Sequence, residues 1–313
     1  MCGIAAWFRY PSKVDETTVN TVMSIIFPRL MLEIEERGFD ASGVYQVHQD
    51  GDWMLAKTGR KISEWLTLAA PNEENDPILF EDFARSWEEH PSPVGAVVGH
   101  CRKATAGTRG KQNKDNHPFS VQLDERNAIL GVHNGTLSNH ERIFERLKEM
   151  GSPLERQGEV DSESLFHLLF HASEGGVRPW TKEDLYSVAR KVDGSYALVA
   201  MNSRFPQHVA VMRDDRPLEA CVINPLGVLV LCSEKRFIER AVNAYNLIVR
   251  HALLPLPKIT AEFQLVAERT CRIFDLSRPL PKVVKWGFLE DISELGNLNT
   301  SYHALPEKHR CRT

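Results

Sequence analysis

Apolar and polar positions along this chain fall into runs whose period and length separate strands from helices. Residues 3–8, "GIAAWF", form a short apolar run of the kind that makes a buried strand. Residues 16–36 set Val19, Val22, Ile25, Ile26, Leu30 and Leu32 near helical spacing, and Pro28 predicts a kink or break in that helix. The stretch "SGVYQVHQDGDWMLAK" at 42–57 alternates on both sides of "DG", which is the pattern of a β-hairpin. Residues 71–93 carry four prolines and many acidic side chains around an apolar patch. They read as a surface insertion with one helix around Leu79–Trp87. "GAVVGHC" at 95–101 and "NAILGVHNG" at 127–135 are two further buried strands, each delivering polar side chains at its C-terminal end. The polar stretch between them reads as a long loop, and long loops in compact domains often carry function.

Helices are predicted at about 138–149, 161–173 and 181–190, the second opening on Asp161-Ser162-Glu163, which is favourable first-turn chemistry. Four strand-like segments follow: "SYALVAM", "HVAVMR", "LEACVI" and "VLVLCS". A helix over 234–246 begins beyond Ser233, and "EFQLVAERTCRIFDL" at 262–276 reads as a closing hairpin. Strands, then helices, then strands again imply two sheets flanked by helices, not a parallel βαβ array.

Composition limits the function classes. The 313 residues can bury a sizeable core, and 42% apolar with 26% charged residues is ordinary for a globular protein. The net charge of −4 gives no basic footprint for nucleic acid. The local cluster Arg102, Lys103, Arg109, Lys111 and Lys114 reads as a solvated loop. Cysteines stand at 2, 101, 221, 232, 271 and 311 with no CxxC pair, so no metal-ligand spacing is present and a reducing compartment is expected. With no apolar run of membrane length and no signal-peptide pattern, the expectation is a cytoplasmic protein without a membrane span.

Chemistry enters at the N-terminus. If Met1 is removed, Cys2 carries a thiol and a free α-amine in one residue. An α-amine titrates near ~7.7–8.0, a base poised for taking a proton from a nucleophile. Activation by an N-terminal amine is an established alternative to a histidine base. Read alone, Cys2 also suits a small buried residue at the first strand. Acyl transfer further needs oxyanion donors. "HNG" at 133–135 offers the Asn134 amide and the Gly135 N–H, although Asn-Gly is also a common turn.

Seven segments in order carry a resemblance: "MCGIAAWF", "RGFDASG" at 37–43, "GHCRKATAG" at 99–107, "NHPF" at 116–119, "GVHNGTLSNH" at 131–140, "EVDSESL" at 159–165 and "DGSYAL" at 193–198. Together they resemble the glutaminase domain of class II glutamine amidotransferases, members of the N-terminal nucleophile hydrolases. "RDDRPLEACVI" at 213–223, "LCSEKRFI" at 231–238 and the closing segment at 263–276 extend the likeness. Coverage is residues 2–276, leaving 277–313 as a short extension and candidate docking segment. The resemblance implies an α+β fold, a four-layer αββα sandwich of two mainly antiparallel sheets.

It also implies roles. Cys2 would attack the side-chain amide of L-glutamine with its own amine as base, forming a γ-glutamyl thioester that water releases as glutamate. Asn134 and Gly135 would hold the oxyanion. Arg102 would grip the substrate α-carboxylate, a contact that suits a guanidinium fork. Asp161 would bind the α-ammonium, Thr105 and His117 would line the pocket, and Arg37 and Asp40 would support the nucleophile's strand from behind. No cofactor and no metal are expected. The family often shows "GHTRWATHG", where this chain has Cys101, Lys103 and Ala106, which puts the family's ammonia route in doubt. No nucleotide or phosphate motif accompanies the domain. The expected reading is therefore a stand-alone glutaminase subunit, open to homo-oligomerisation, that hands ammonia to a separate synthase. The alternatives are an amidohydrolase or γ-glutamyl acyltransferase acting on another amide, and a non-catalytic regulatory subunit on the same fold.

Overall fold

The computed structural model describes residues 2–70, 78–104, 113–124, 127–280 and 287–288. Its first strand, β1 (Gly3–Arg9), alternates between two interiors: Ala5 and Trp7 face one core, and Ile4, Ala6 and Phe8 face another. A strand can be apolar at every position only where both of its faces are covered, and that single fact sets the layers. Helix α1 (Glu16–Ile34) follows, capped by Asp15, whose carboxylate accepts from Thr18 N at 2.8 Å. The helix runs unbroken through Pro28, so of the kink or break expected there the break does not occur. Ile26, Phe27, Leu30 and Met31 are all buried around the proline, and packing of this face offsets the roughly 3 kcal/mol that an interior proline costs.

The predicted hairpin forms as β2 (Ala41–His48) and β3 (Trp53–Thr58). After the short helix α2 (Ile62–Trp65), helix α3 (Phe80–Glu89) departs from its expected place on the surface. Phe80, Phe83 and Trp87 are buried, Trp87 meets Phe27 edge-on at 6.0 Å, and its indole N–H donates to Gln46 Oε1 at 2.6 Å. Its apolar residues at i, i+3 and i+7 form one buried stripe.

β4 (Val94–Arg102) completes the neighbourhood of β1. The stretch after it is not all loop: β5 (Phe119–Asp124) pairs with β6 (Asn127–Leu137). Helices α4 (His140–Glu149), α5 (Glu163–Ala172) and α6 (Lys182–Ala189) follow, then β7 (Gly194–Asn202), β8 (His208–Arg213), β9 (Glu219–Asn224) and β10 (Val228–Cys232). Helix α7 (Lys235–Ala252) runs past its expected end. The expected closing hairpin is a correction: β11 (Thr260–Gln264) pairs with β9, whereas β12 (Thr270–Asp275) pairs with β8 in the other sheet. Two alternating strands close in sequence need not pair when each finds an open edge elsewhere. In the C-terminal extension, β13 (Gly287–Phe288) pairs with β12, so this part of the "WGFLEDI" patch lies against its own sheet.

The sheets run β11-β9-β10-β1-β4-β2-β3 and β13-β12-β8-β7-β6-β5, with antiparallel neighbours throughout. Helices α1, α3 and α7 cover the outer face of the first, and α4, α5 and α6 that of the second. Between the sheets lies a third core of Ile4, Ala6, Phe8, Val98, Leu130, Val132 and their neighbours. This is the expected αββα sandwich.

If α3 is integral to the outer core, Trp87→Ala should cost roughly 3–5 kcal/mol in denaturant unfolding. A cost within about 0.5 kcal/mol, the range of ordinary surface substitutions, would restore the picture of a surface insertion.

Candidate active site

The alternation that builds the inter-sheet core also aims the polar residues beyond it. On β4, Ala96 and Val98 face the other sheet, and two-residue steps bring His100 and Arg102 to that side. On β6, Ala128, Leu130 and Val132 do the same, and the next step reaches Asn134. Because the strands are antiparallel, β1 begins where β4 ends: Gly3 lies opposite Cys101. Ala41, at the start of β2, lies opposite Arg102. Cys2, Asp40, Arg102 and Asn134 therefore gather at one end of the sandwich.

The Cys2 thiol rests on the backbone of residue 103, with Lys103 N–H directed to Sγ at 3.3 Å and Sγ 3.5 Å from Lys103 O. Burial pushes the thiol up from its ordinary value, opposed by the Lys103 N–H and by the charges of Arg102 and Arg37. The resting group is thus a thiol, and its proton must be taken during attack. The Cys2 carbonyl accepts from Arg37 Nε at 2.7 Å and Asn134 Nδ2 at 3.1 Å. Arg37 is buried in the 3-10 turn after α1 and ion-pairs with Glu234. Asp40 holds the 102–104 segment: its N–H donates to Arg102 O at 2.9 Å, and its carboxylate accepts from Ala104 N at 2.8 Å.

Both hydrogens of the Asn134 amide are engaged, on Cys2 O and on Ser233 Oγ at 3.1 Å. Its Oδ1 lies 3.1 Å from His100 Nε2, which also faces His133 O at 3.2 Å. Two oxygens around one ring nitrogen assign the proton to His100 Nε2. Gly135 has φ +147°, and a Cβ there would stand 1.9 Å from Ser195 O, so only glycine fits.

Arg102 is buried and donates to Asn116 Oδ1 at 2.9 Å; burial lowers its pKa against the opposing charges of Asp115, Cys2, Asp40 and Asp161. Asp161 does not serve the helix start as expected. Its Oδ2 reaches across to accept from Leu137 N at 2.6 Å at the end of β6, which places its charge within reach of Arg102. His117 is buried, stacked on His100 at 4.1 Å between centroids, with neither ring nitrogen partnered among the described residues. Thr105 and Ala106 lie outside the described residues, and the Lys103 side chain is exposed.

Residues that sequence reasoning passed over complete the site. His100 shares the face of Arg102 on β4, and strand alternation would have found it. Asn116, held by Lys57 Nζ on its carbonyl at 2.9 Å, and the pair Ser233 and Glu234 have no comparable signal, because only tertiary contact brings them here. Among the described residues, one trio with metal-capable atoms close together is Asp50, Asp52 and His90. It lies at the β2–β3 turn beside a cleft of about 740 Å³ and shares no residue with the Cys2 site. Hydrogen bonds account for it, since His90 Nε2 meets Asp52 at 3.3 Å and Ser92 N–H donates to His90 Nδ1 at 3.1 Å.

Two sheets facing each other between helical layers, with a cysteine heading the central strand of one, define the architecture of the N-terminal nucleophile hydrolases. Within that class, the profile described as a glutamine amidotransferase domain matches residues 102–240. Glutamine–fructose-6-phosphate aminotransferase of Idiomarina loihiensis is 29% identical over 222 residues, covering 70% of this chain and 30% of that protein. The enzyme of the same name from Clostridium acetobutylicum is 30% identical over 219 residues, 70% of this chain and 29% of its own. Glutamine phosphoribosylpyrophosphate amidotransferase of B. subtilis, solved with ADP and GMP, shares the fold with a TM-score of 0.59 at 15% identity, over 92% of this chain and 49% of that one. Over residues 102–240 the chain matches a glutamine amidotransferase domain, and it is similar to the class II glutamine amidotransferases. It spans about 30% of the length of the curated relatives it matches. No helix among the described residues is long and apolar enough to cross a membrane.

The buried histidines generate a pH prediction. Burial lowers His100 to about 3, His133 to about 4, and His117 well below its ordinary value. The unfolded chain binds these protons near ~6.5, so between that pH and about 4 unfolding takes up protons and stability falls as pH falls. Each group contributes up to about 1.4 kcal/mol per pH unit. Denaturant titrations at pH 7 and pH 5 should show this loss, and His117→Gln should reduce it; a pH-independent midpoint would contradict neutral burial.

Proposed function

We propose that this domain hydrolyses the side-chain amide of L-glutamine through Cys2, freed by removal of Met1. The observation that carries the reading is the partly buried Cys2 thiol at the same end of the sandwich as the oppositely charged Arg102 and Asp161. A free amino acid has an α-carboxylate and an α-ammonium. A guanidinium and a carboxylate flanking one nucleophile suit those two ends.

In the proposed sequence, the α-amine of Cys2 takes the thiol proton as sulfur adds to the amide carbon. The oxyanion is received by the Gly135 N–H and by the Asn134 amide, which turns from the Cys2 carbonyl to do so. Collapse breaks the C–N bond, and the nitrogen leaves as ammonia with the proton returned by the amine. Water then adds to the γ-glutamyl thioester with the same amine as base, and C–S cleavage frees glutamate and restores the thiol. His117, neutral and unpartnered, and Thr105 would line the substrate pocket, while Arg37 and Asp40 hold the backbone on either side of the nucleophile.

Residues 2–276 would form the glutaminase domain. Ammonia would pass to a separate synthase, a reading that fits a glutaminase domain matching about 30% of the length of its curated relatives. Pairing of Gly287–Phe288 with β12 supports packing of at least this part of the extension on its own domain, not on a partner.

Purified protein should release glutamate and ammonia in equal amounts from L-glutamine, with intact mass confirming loss of Met1. Cys2→Ala should abolish release, Asn134→Ala should lower kcat about 10²–10³-fold, and Arg102→Lys should mainly raise KM. A γ-glutamyl amide in place of free glutamate would identify an acyltransferase instead. No turnover, with Cys2 unlabelled by electrophilic glutamine analogues, would reject the catalytic reading.

A further inference from the structure

Cys2 and Asn134 come from different sheets, and one dipeptide after β10 touches the supports of both. Ser233 is fully buried. Its Oγ accepts from Ile4 N at 2.8 Å and from Asn134 Nδ2 at 3.1 Å, so a single hydroxyl oxygen bonds the nucleophile's strand in one sheet and the side chain of β6 in the other. Its own N–H donates to Ile4 O at 3.0 Å, fixing β1 two residues from Cys2. Glu234 is held from both sides. One carboxylate oxygen pairs with Arg37, whose Nε donates to the Cys2 carbonyl, and the other accepts from Arg236 Nε at 2.7 Å. Arg236 pairs in turn with Glu36 at 3.2 Å, which ties the first turn of α7 to the 3-10 turn that carries Arg37.

We propose that Ser233 and Glu234 are positioning residues for the glutaminase reaction, a two-point clamp that sets Asn134 relative to Cys2. This rests on the reading of the preceding subsection. Ser233 fixes the direction of the Asn134 amide, and Glu234 fixes Arg37 and through it the Cys2 carbonyl. Neither side chain contacts the thiol. The oxyanion donor and the attacking sulfur must keep a separation set to fractions of an ångström, yet they sit on separate sheets. A hydroxyl at their junction is the shortest available link, and it serves only while the residue after β10 keeps its place against Ile4.

The clamp is tested by separating oxyanion stabilisation from thiol reactivity. Alkylation of Cys2 by iodoacetamide displaces iodide and forms no oxyanion; glutamine hydrolysis forms one twice. Ser233→Ala should lower kcat for glutamate release about 10–100-fold, as misplacement of a catalytic group does. KM and the alkylation rate of Cys2 should stay within about twofold of wild type, changes too small to register a lost binding contact. Ser233→Thr, which keeps the hydroxyl, should recover most of the loss. Glu234→Gln, at a partly exposed position that tolerates the change, should lower kcat in the same selective way, and Glu234→Asp should restore part of it.

Wild-type kcat in Ser233→Ala would overturn the proposal. So would a parallel fall of kcat, alkylation rate and melting temperature in both variants, since that pattern is a general loss of structure. If the wild-type protein itself releases no glutamate, the glutaminase reading fails separately, and crystal structures judge the geometry. Movement of Asn134 Nδ2 beyond hydrogen-bond distance of Cys2 O in Ser233→Ala would support the clamp, and an unmoved Asn134 would overturn it.

Discussion

The carbonyl oxygen of Cys2 is the atom on which this site depends. It accepts from Arg37 Nε at 2.7 Å and from Asn134 Nδ2 at 3.1 Å, and these donors come from a turn on one sheet's helical layer and from the other sheet. A residue ahead of the first strand would ordinarily fray. Here its backbone is tied to both halves of the sandwich. The helical layers, the continuous apolar strands and the antiparallel register all serve to bring those three groups to one point.

Around that point the interior is polar but uncharged at the histidines. His100, His117 and His133 are buried and neutral, so they add hydrogen-bonding capacity without the cost of burying cations. The cations Arg102, Arg37 and Lys57 are each bound to an oxygen of the protein. Lys57 shows the tension: burial pushes it down to about 8, and it is retained where two backbone carbonyls, of Asn116 and Pro118, accept from it. Its contact steadies the segment whose Asn116 side chain meets Arg102.

Much of this was legible from pattern. β1, β4 and β6 were apparent because strands buried on both faces must be apolar throughout. Cys2, Arg102 and Asn134 stand at the ends of such runs, but their candidate roles came from the resemblance to a known family, since read alone Cys2 suits a small buried residue and Asn-Gly a turn. The errors have a shared cause. The break allowed at Pro28, the surface placement of the helix around Leu79–Trp87 and the 262–276 hairpin were judged by local propensity, and each was decided by packing against elements distant in sequence. α3 is buried by α1 and β2, and β11 and β12 part company because β9 and β8 each offer an open edge.

The sequence by itself determined most element types and the two-sheet architecture, since these follow from residue type and period along the chain, and through its resemblance to a known family it named Cys2 and the charged residues about it as candidates. Tertiary structure alone decided which groups hold one another. Ser233, Glu234, His100 and Asn116 are ordinary polar residues in sequence, and Asp161 sits where a helix cap is expected. Their roles arise from distances between strands and turns separated by tens to hundreds of residues, which periodicity does not encode because it reports which face a side chain takes and not what it meets there.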